Sequence, residues 1–255
     1  MCIRDRGESM ELTAKQWKIS RENQDELALA SHLNASRAYE EGFYDDLVVE
    51  YQGITRDNNI RSDTSPEQLA KLKPVFDRTN SGTMTAGNST PLTDGASAVL
   101  LASEEWARQR SLPVLAFLTY AKVSAVDFVN KEGLLMAPAY AVSDMLKDAE
   151  FSLQDFDFYE IHEAFAAQTL ACLKAWESEE FCRNFLGREH ALGSIDRKKL
   201  NTKGGSVAIG HPFAATGTRI VSSLAKLLHQ TQAGRGLASV CTAGGMGVTA
   251  ILEKP

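Results

Sequence analysis

The amino-acid sequence predicts an α/β protein in which helices cover a sheet, and three observations carry that prediction. From residue 96 onward, strand-like and helix-like stretches alternate, the order expected of a sheet with helices packed on it. The chain closes on two strand-like runs joined by the glycine-rich turn Thr242-Ala-Gly-Gly-Met246, a hairpin signal. Finally, 255 residues with 44% hydrophobic and 24% charged side chains form an ordinary globular composition, able to bury a core and unlike disordered, collagen-like or coiled-coil chains.

Taken in order, the first seven residues, MCIRDRG, fit no pattern that follows. They are read as non-native, and Cys2 is set aside with them. Ser20 then caps a helical pattern in which Leu27, Ala30, Leu33 or Asn34, Ala38 and Glu41 recur at spacings of three and four before Gly42 stops it. Residues 46–51 read as a short strand. Ser65-Pro66-Glu67-Gln68 places a capping serine and a first-turn proline ahead of Leu69 and Leu72, so a short helix follows. Residues 79–95 shift to Thr, Ser, Gly and Asn, the composition of a functional loop. The regular part then runs strand 96–102, helix 103–110, strand 114–125, helix 138–150, strand 156–161, helix 164–176, helix 216–228, strand 237–241 and strand 247–252.

The formal charge of −6 removes the basic footprint of a nucleic-acid binder. Cysteines at 2, 172, 182 and 241 show no CxxC spacing, so neither a metal site nor a disulfide framework is expected, and a reducing cytoplasmic compartment is the default. The apolar runs fall short of the ~20 residues that span a bilayer, and no signal peptide opens the chain.

Three loops carry reactive side chains at strand or helix ends, where α/β folds place their sites. They are HEAFA at 162–166, NTKGGSVAIGHPFAATGTR at 201–219 and CTAGGMG at 241–247. Their chemistry suits thiol-based acyl transfer. Cys241 precedes glycines that permit close backbone approach, so its sulfur is expected to face substrate while nearby N–H groups hold an oxyanion. His211 or His162 then lowers the thiol pKa or acts as a base, and Pro212 restricts His211 to extended geometry. The plainer reading makes Cys241 a small buried hydrophobe and Cys172 and Cys182 structural. Gly204-Gly205 gives a weak phosphate-cradle signal that matches neither glycine-rich nucleotide fingerprint.

HEAFA, NTKGGSVAIGHPFAATGTR and CTAGGMG, in that order at the end of a chain, resemble the carboxyl-terminal domain of a thiolase. The resemblance extends upstream through residues 12–14, 19–25, 69–76 and 82–95 and so covers nearly everything after Gly7. Histidine at 162 and the form GHPFAATG are similar to the β subunits of fatty-acid oxidation complexes. The resemblance implies a layered α-β-α-β-α architecture, incomplete here, with a mixed five-stranded sheet in the carboxyl-terminal domain. It divides the chain into a partial loop domain at 8–78, the end of an amino-terminal domain at 79–111 and a carboxyl-terminal domain at 112–255.

It also implies an activity: coenzyme A cleaves a 3-ketoacyl-CoA to acetyl-CoA and a shortened acyl-CoA in fatty-acid β-oxidation. Matched position by position, Cys241 is the acid/base, His211 activates a nucleophilic cysteine and helps form an oxyanion hole, and His162 completes that hole directly or through water. The Ala243 N–H serves a second hole. Arg61 and Phe76 match positions near the adenine and phosphates of coenzyme A, Ser89 and Thr90 lie beside its pantetheine, and Ala164 and Phe165 stand at its thiol end. Coenzyme A enters as co-substrate, with no permanently bound cofactor and no metal.

The resemblance further implies a homodimer and association with a hydratase/dehydrogenase α subunit. The family's nucleophilic cysteine belongs ahead of residue 8, and Cys2, followed by Ile-Arg-Asp, does not match its motif. The 255 residues are therefore expected to lack covalent catalysis alone. Alternative readings are a non-catalytic acyl-CoA or lipid-binding relative, a biosynthetic acetoacetyl-CoA thiolase and, without a fingerprint, a dinucleotide-binding oxidoreductase.

Overall fold

The computed structural model describes residues 3–130 and 132–255, so Cys2 lies outside the described residues. Helix α1 (Ile3–Gln16) runs through residues in which the sequence showed no helical pattern. Helix α2 (Arg21–Glu40) follows as expected: the Ser20 hydroxyl accepts from the Asn23 N–H at 3.2 Å, and Gly42 continues the chain at φ +70°, a left-handed conformation that costs glycine little. The inner face of α2 is unusually polar, burying Gln24, Asp25, Ser31 and His32 beside Leu27, Ala28 and Ala35. Such groups need partners once water is gone, and those partners organise the site described below. Helix α3 (Pro66–Ala70) begins at Ser65, whose hydroxyl accepts from the Gln68 N–H. Helix α4 (Glu104–Gln109) begins likewise at Ser103.

The carboxyl-terminal half supplies the sheet. Strand β1 (Phe117–Ala125) leads to α5 (Ala137–Asp148), β2 (Phe158–Ile161), α6 (Ala166–Glu177) and α7 (Glu179–Phe185). A short turn of helix, α8 (Ser206–Ile209), precedes α9 (Thr216–Thr231), β3 (Arg235–Thr242) and β4 (Met246–Glu253). The strand order is β1-β4-β3-β2, with β2 and β3 parallel and the remaining pairs antiparallel.

Strand alternation decides which helices lie on which face. Leu237, Cys241 and Ile251 share a cluster with Val142 and Met145 of α5 and Leu170 of α6. Their neighbours Ala238, Ala250 and Leu252 face Ile220, Leu224 and Leu228 of α9. One mixed sheet is thus covered on both faces, and each fully buried leucine or isoleucine in these layers contributes about 1.5–3 kcal/mol of transfer free energy.

Three expectations are corrected. Among the described residues the sheet has four strands, not five. Residues 96–102 form no strand, because an isolated extended segment leaves its backbone groups unpaired. No described strand lies alongside them, and Leu100 and Leu101 stay 73% and 66% exposed. Residues 46–51 form none for the same reason: Tyr51 makes a single bridge to Ile54.

Candidate active site

The parallel pairing of β2 and β3 fixes the first functional side chain. Phe158 to Ile161 register against Gly236 to Ser239, and the next backbone N–H, that of His162, donates to the Ser239 carbonyl at 2.8 Å. His162 therefore leaves the carboxyl end of β2 beside the strand that carries Cys241 two residues past Ser239. His211 arrives from elsewhere in the sequence. Gly210 takes φ +107°, where an added Cβ would lie 2.5 Å from Thr93, and the His211 N–H donates to the Thr93 hydroxyl at 3.0 Å. The result is a pair of imidazoles whose ring centroids are 4.2 Å apart.

Each ring is held through Nδ1. That of His162 lies 2.7 Å from Ser206 Oγ and that of His211 lies 2.7 Å from Thr216 Oγ1. The Thr216 hydroxyl also reaches the Pro212 carbonyl at 3.4 Å, so it donates there while accepting from His211. Burial, with Arg6 and Arg219 nearby, holds His211 down at about 4. Burial, His211, Arg219 and Arg6 hold the fully enclosed His162 well below the ordinary histidine value. Both rings are neutral at pH 7, the state in which an imidazole nitrogen accepts a proton.

Behind the pair sits Glu163, a carboxylate that the sequence reading passed over. It is 2% exposed and accepts from Ser31 Oγ at 2.8 Å, the Val207 N–H at 3.1 Å and Asn201 Nδ2 at 2.6 Å. Asn201 also accepts from the Ile161 N–H and donates to the Ile161 carbonyl, both at 2.9 Å, in effect extending the sheet by a side chain. Burial raises the Glu163 pKa and these three donors oppose the rise, as hydrogen bonding to a carboxylate does. The network ties α2, the end of β2 and the 201–211 loop into one support for His162.

Gly204 and Gly205 serve this support, which replaces the phosphate-cradle reading. A Cβ on Gly204 would fall 2.4 Å from the Ala35 side chain, and one on Gly205 would fall 2.1 Å from the Glu163 carboxyl carbon. Glycine is required there for close approach of the protein to itself.

The remaining expected residues separate into groups. Thr90, Ala164, Phe165 and His211 line one small cleft together with Arg6, Pro91, Leu92 and Phe213. The Thr90 hydroxyl donates to the Glu163 carbonyl, Ser89 bridges Phe165 through the backbone, and the Ser89 hydroxyl is buried without a partner. Arg61 and Ser89 line a second groove of about 380 Å³ that includes His32, Asn59, Thr64 and Pro91. Phe76 does not join Arg61 there; its ring packs edge-on to Phe165 at 5.6 Å and lines a different groove beside Lys15 and Arg78. Arg6, within the stretch set aside above, stacks its guanidinium 5.2 Å from the Phe213 ring centroid.

Cys241 differs from its expected exposure: it is 4% exposed in the α5–α6 core layer. Burial, reinforced by nearby Cys172, pushes its thiol up to about 12. The sulfur is a protonated thiol at neutral pH, not a standing thiolate. Ala243 lies in the exposed turn between β3 and β4. Cys172, Cys182 and Cys241 are free and buried, and among the described residues no cluster of three or more His, Cys, Asp or Glu is arranged for a metal ion. No described helix is long and apolar enough to cross a membrane.

Residues 112–254 match the family model for the thiolase C-terminal domain, and residues 5–105 match that for the thiolase N-terminal domain. The chain is 45% identical to a 3-ketoacyl-CoA thiolase of Yersinia enterocolitica and 46% identical to one of Yersinia pestis, each over 97% of this chain. It spans 57% of the length of those relatives. An acetyl-CoA acetyltransferase from Bacillus anthracis superposes with a TM-score of 0.81 at 36% identity, over 98% of this chain and 60% of the other. Human mitochondrial 3-ketoacyl-CoA thiolase in complex with CoA superposes with a TM-score of 0.82 at 34% identity, over 97% and 58% respectively. With both domain models matched in chain order on a fold that superposes on these structures, the chain belongs to the thiolase family.

Proposed function

We propose that this chain carries the histidine and acid/base part of a thiolase site, acting in the cleavage of a 3-ketoacyl-CoA by coenzyme A during fatty-acid degradation. The observation that carries the reading is the His162–His211 pair, 4.2 Å apart at the carboxyl end of β2, with Cys241 on the adjoining parallel strand.

In this reading His211 removes the proton from a cysteine nucleophile, whose thiolate attacks the 3-keto carbon. The carbonyl oxygen becomes an oxyanion, and donors from His211 and His162 stabilise it; one such donor is worth on the order of 3 kcal/mol in the transition state. The bond between C2 and C3 breaks, the shortened acyl group stays on the nucleophile, and the acetyl-CoA carbanion takes the proton of Cys241. A thiol raised to about 12 by burial is in the protonated form this step needs. The Cys241 thiolate then takes the proton of an incoming coenzyme A thiol, which attacks the thioester and releases the shortened acyl-CoA, while the expelled nucleophile thiolate takes its proton back from His211. The Ala243 N–H serves the oxyanion of the acetyl-CoA side.

Arg61 and Ser89 are proposed to hold coenzyme A along their shared groove, with Thr90 beside its pantetheine, Ala164 and Phe165 at its thiol end and Phe76 acting only through Phe165. No described cysteine hydrogen bonds to His211, so the 255 residues by themselves are proposed to bind coenzyme A without turning over substrate. The division at 8–78, 79–111 and 112–255 into loop domain, end of the amino-terminal domain and carboxyl-terminal domain belongs to the same proposal. So do a homodimeric assembly, association with a hydratase/dehydrogenase subunit and a cytoplasmic location, the last supported by free cysteines.

Calorimetric titration of coenzyme A into the chain, with a thiolysis assay on a 3-ketoacyl-CoA, tests this reading. Saturable binding weakened by Arg61→Ala, without thiolysis, is the expected result. Absence of binding, or native-like turnover by the chain alone, overturns it.

A further inference from the structure

Ser206 has one hydroxyl proton and two neighbours. Arg219 Nη2 lies 3.0 Å from Ser206 Oγ, and a guanidinium can only donate. His162 Nδ1 lies 2.7 Å from the same oxygen. Ser206 is completely buried, and no other acceptor for its hydroxyl lies within hydrogen-bond distance among the described residues. The arrangement satisfies every group when Arg219 fills one lone pair of Oγ and the Ser206 O–H donates to His162 Nδ1. The proton of the neutral His162 ring then resides on Nε2. That nitrogen is buried and has no hydrogen-bond partner.

From this geometry we infer that Ser206 and Arg219 are positioning residues that lock His162 in the Nε2–H tautomer, presenting a buried donor to an oxygen of the substrate. The inference deepens the thiolase reading above and rests on it only for the identity of that oxygen. The reverse tautomer would place the proton on Nδ1 and require Ser206 Oγ to accept from both His162 and Arg219. Its own hydroxyl proton would then lack an acceptor in the core, which disfavours that form. Nε2 would become an acceptor, unable to stabilise an oxyanion.

The fold builds the relay deliberately in three dimensions. Gly205 lets Ser206 begin α8 while the Glu163 carboxylate approaches the backbone, and the Glu163 contact with the Val207 N–H fixes that turn. Arg219 projects from the first turn of α9, and its charge also faces the buried Glu160 of β2. The two nitrogens of Arg219 not directed at Ser206, Nε and Nη1, are buried without partners, so its contact with Ser206 is the one hydrogen bond that its side chain makes among the described residues.

The test is long-range proton–nitrogen correlation on the 255-residue chain labelled with ¹⁵N-histidine, which distinguishes a protonated ring nitrogen from a bare one. Unaltered protein is expected to show His162 with the proton on Nε2 and a bare Nδ1. Arg219→Gln offers the Ser206 hydroxyl an amide oxygen where the guanidinium only donates, and Ser206→Ala removes the hydroxyl, so each is expected to bring in the Nδ1–H form; Arg219→Lys retains a donor and keeps the Nε2–H tautomer. A proton on Nδ1 in the unaltered chain, or a tautomer unmoved by both Arg219→Gln and Ser206→Ala, overturns the inference. If the two variants fail to fold, the unaltered spectrum still decides. No substrate enters the experiment, so a failure of the thiolase reading in activity assays leaves this result standing, and the converse also holds.

Discussion

A methyl group placed on Gly205 would sit 2.1 Å from the carboxyl carbon of Glu163, so the backbone of the 201–211 loop and the support of His162 occupy adjacent space with no room for a Cβ. Contact at that distance must be relieved by movement of one side or the other. Gly205→Ala is therefore expected to destabilise the chain by about 1–3 kcal/mol and to displace Glu163. Urea denaturation reads the first effect, and loss of the His162 tautomer signature reads the second. A variant as stable as the parent with an unchanged spectrum would contradict this packing.

Glu163 itself offers a graded comparison. Replacing it by alanine strands Ser31, Asn201 and the Val207 N–H in a buried site, and each unsatisfied group costs about 1–3 kcal/mol. Glu163→Ala is expected to lose about 3 kcal/mol or more, enough to unfold a marginal domain. Glu163→Gln keeps two of the three acceptor relationships in shape while its amide nitrogen opposes one donor, so its loss should be smaller but measurable. Equal stabilities for the parent and both variants would remove Glu163 as an organising group.

The buried ionisable groups set a pH profile whose sign can be worked out. His32 and His211 both fall to about 4, chiefly through burial, and His162 moves the same way. Between pH 6.5 and about 4 the unfolded chain binds protons that the folded chain does not, so stability falls as pH falls through that window. Glu160, raised by burial to about 8, acts in the opposite sense. Its contribution is whole below its ordinary value of 4.5 and is lost as pH rises towards 8. On the acid side the three histidines outweigh the buried glutamates, and above pH 6.5 Glu160, with Glu163 raised in the same direction by burial, turns the slope downward. Stability should peak near pH 6.5, and Glu160→Gln should flatten the alkaline limb. Chemical denaturation across this range checks both, and an alkaline limb unchanged by Glu160→Gln would contradict the assignment.

How much of this was legible in the sequence depends on where the cause lies. Capping at Ser20 and Ser65 is local chemistry, and α2 and α3 begin where those serines predict; α4 lies within the 103–110 stretch read as a helix. The order β1, α5, β2, α6, α9, β3, β4 follows from hydrophobic periodicity, which is also local, whereas α7 and the short α8 were not read from it. The run 96–102 has strand composition, yet a strand exists only with a neighbour, and sequence composition does not report the neighbour. His211 stood out because turn chemistry explains its flanking Gly and Pro but not an imidazole, and His162 because it opens a motif directly after a strand. Their partners did not: Ser206, Arg219, Glu163 and Ser31 are common polar residues whose meaning comes from contacts made across the fold. One signal was available, since two successive glycines before a buried turn announce that something lies against the backbone. It was a carboxylate and a helix, not a phosphate.

In the proposal above His211 and Cys241 act within a thiolase site, and a chimera would show whether they do. Residues 8–255 would replace the matching part of the Yersinia enterocolitica 3-ketoacyl-CoA thiolase, and cleavage of a 3-ketoacyl-CoA by coenzyme A would be followed. The chimera is expected to turn over, to fall about a hundredfold or more with His211→Ala on the scale of a lost base or oxyanion donor, and with Cys241→Ala to give an acylated enzyme that does not turn over. A chimera that turns over equally well with either substitution would contradict it.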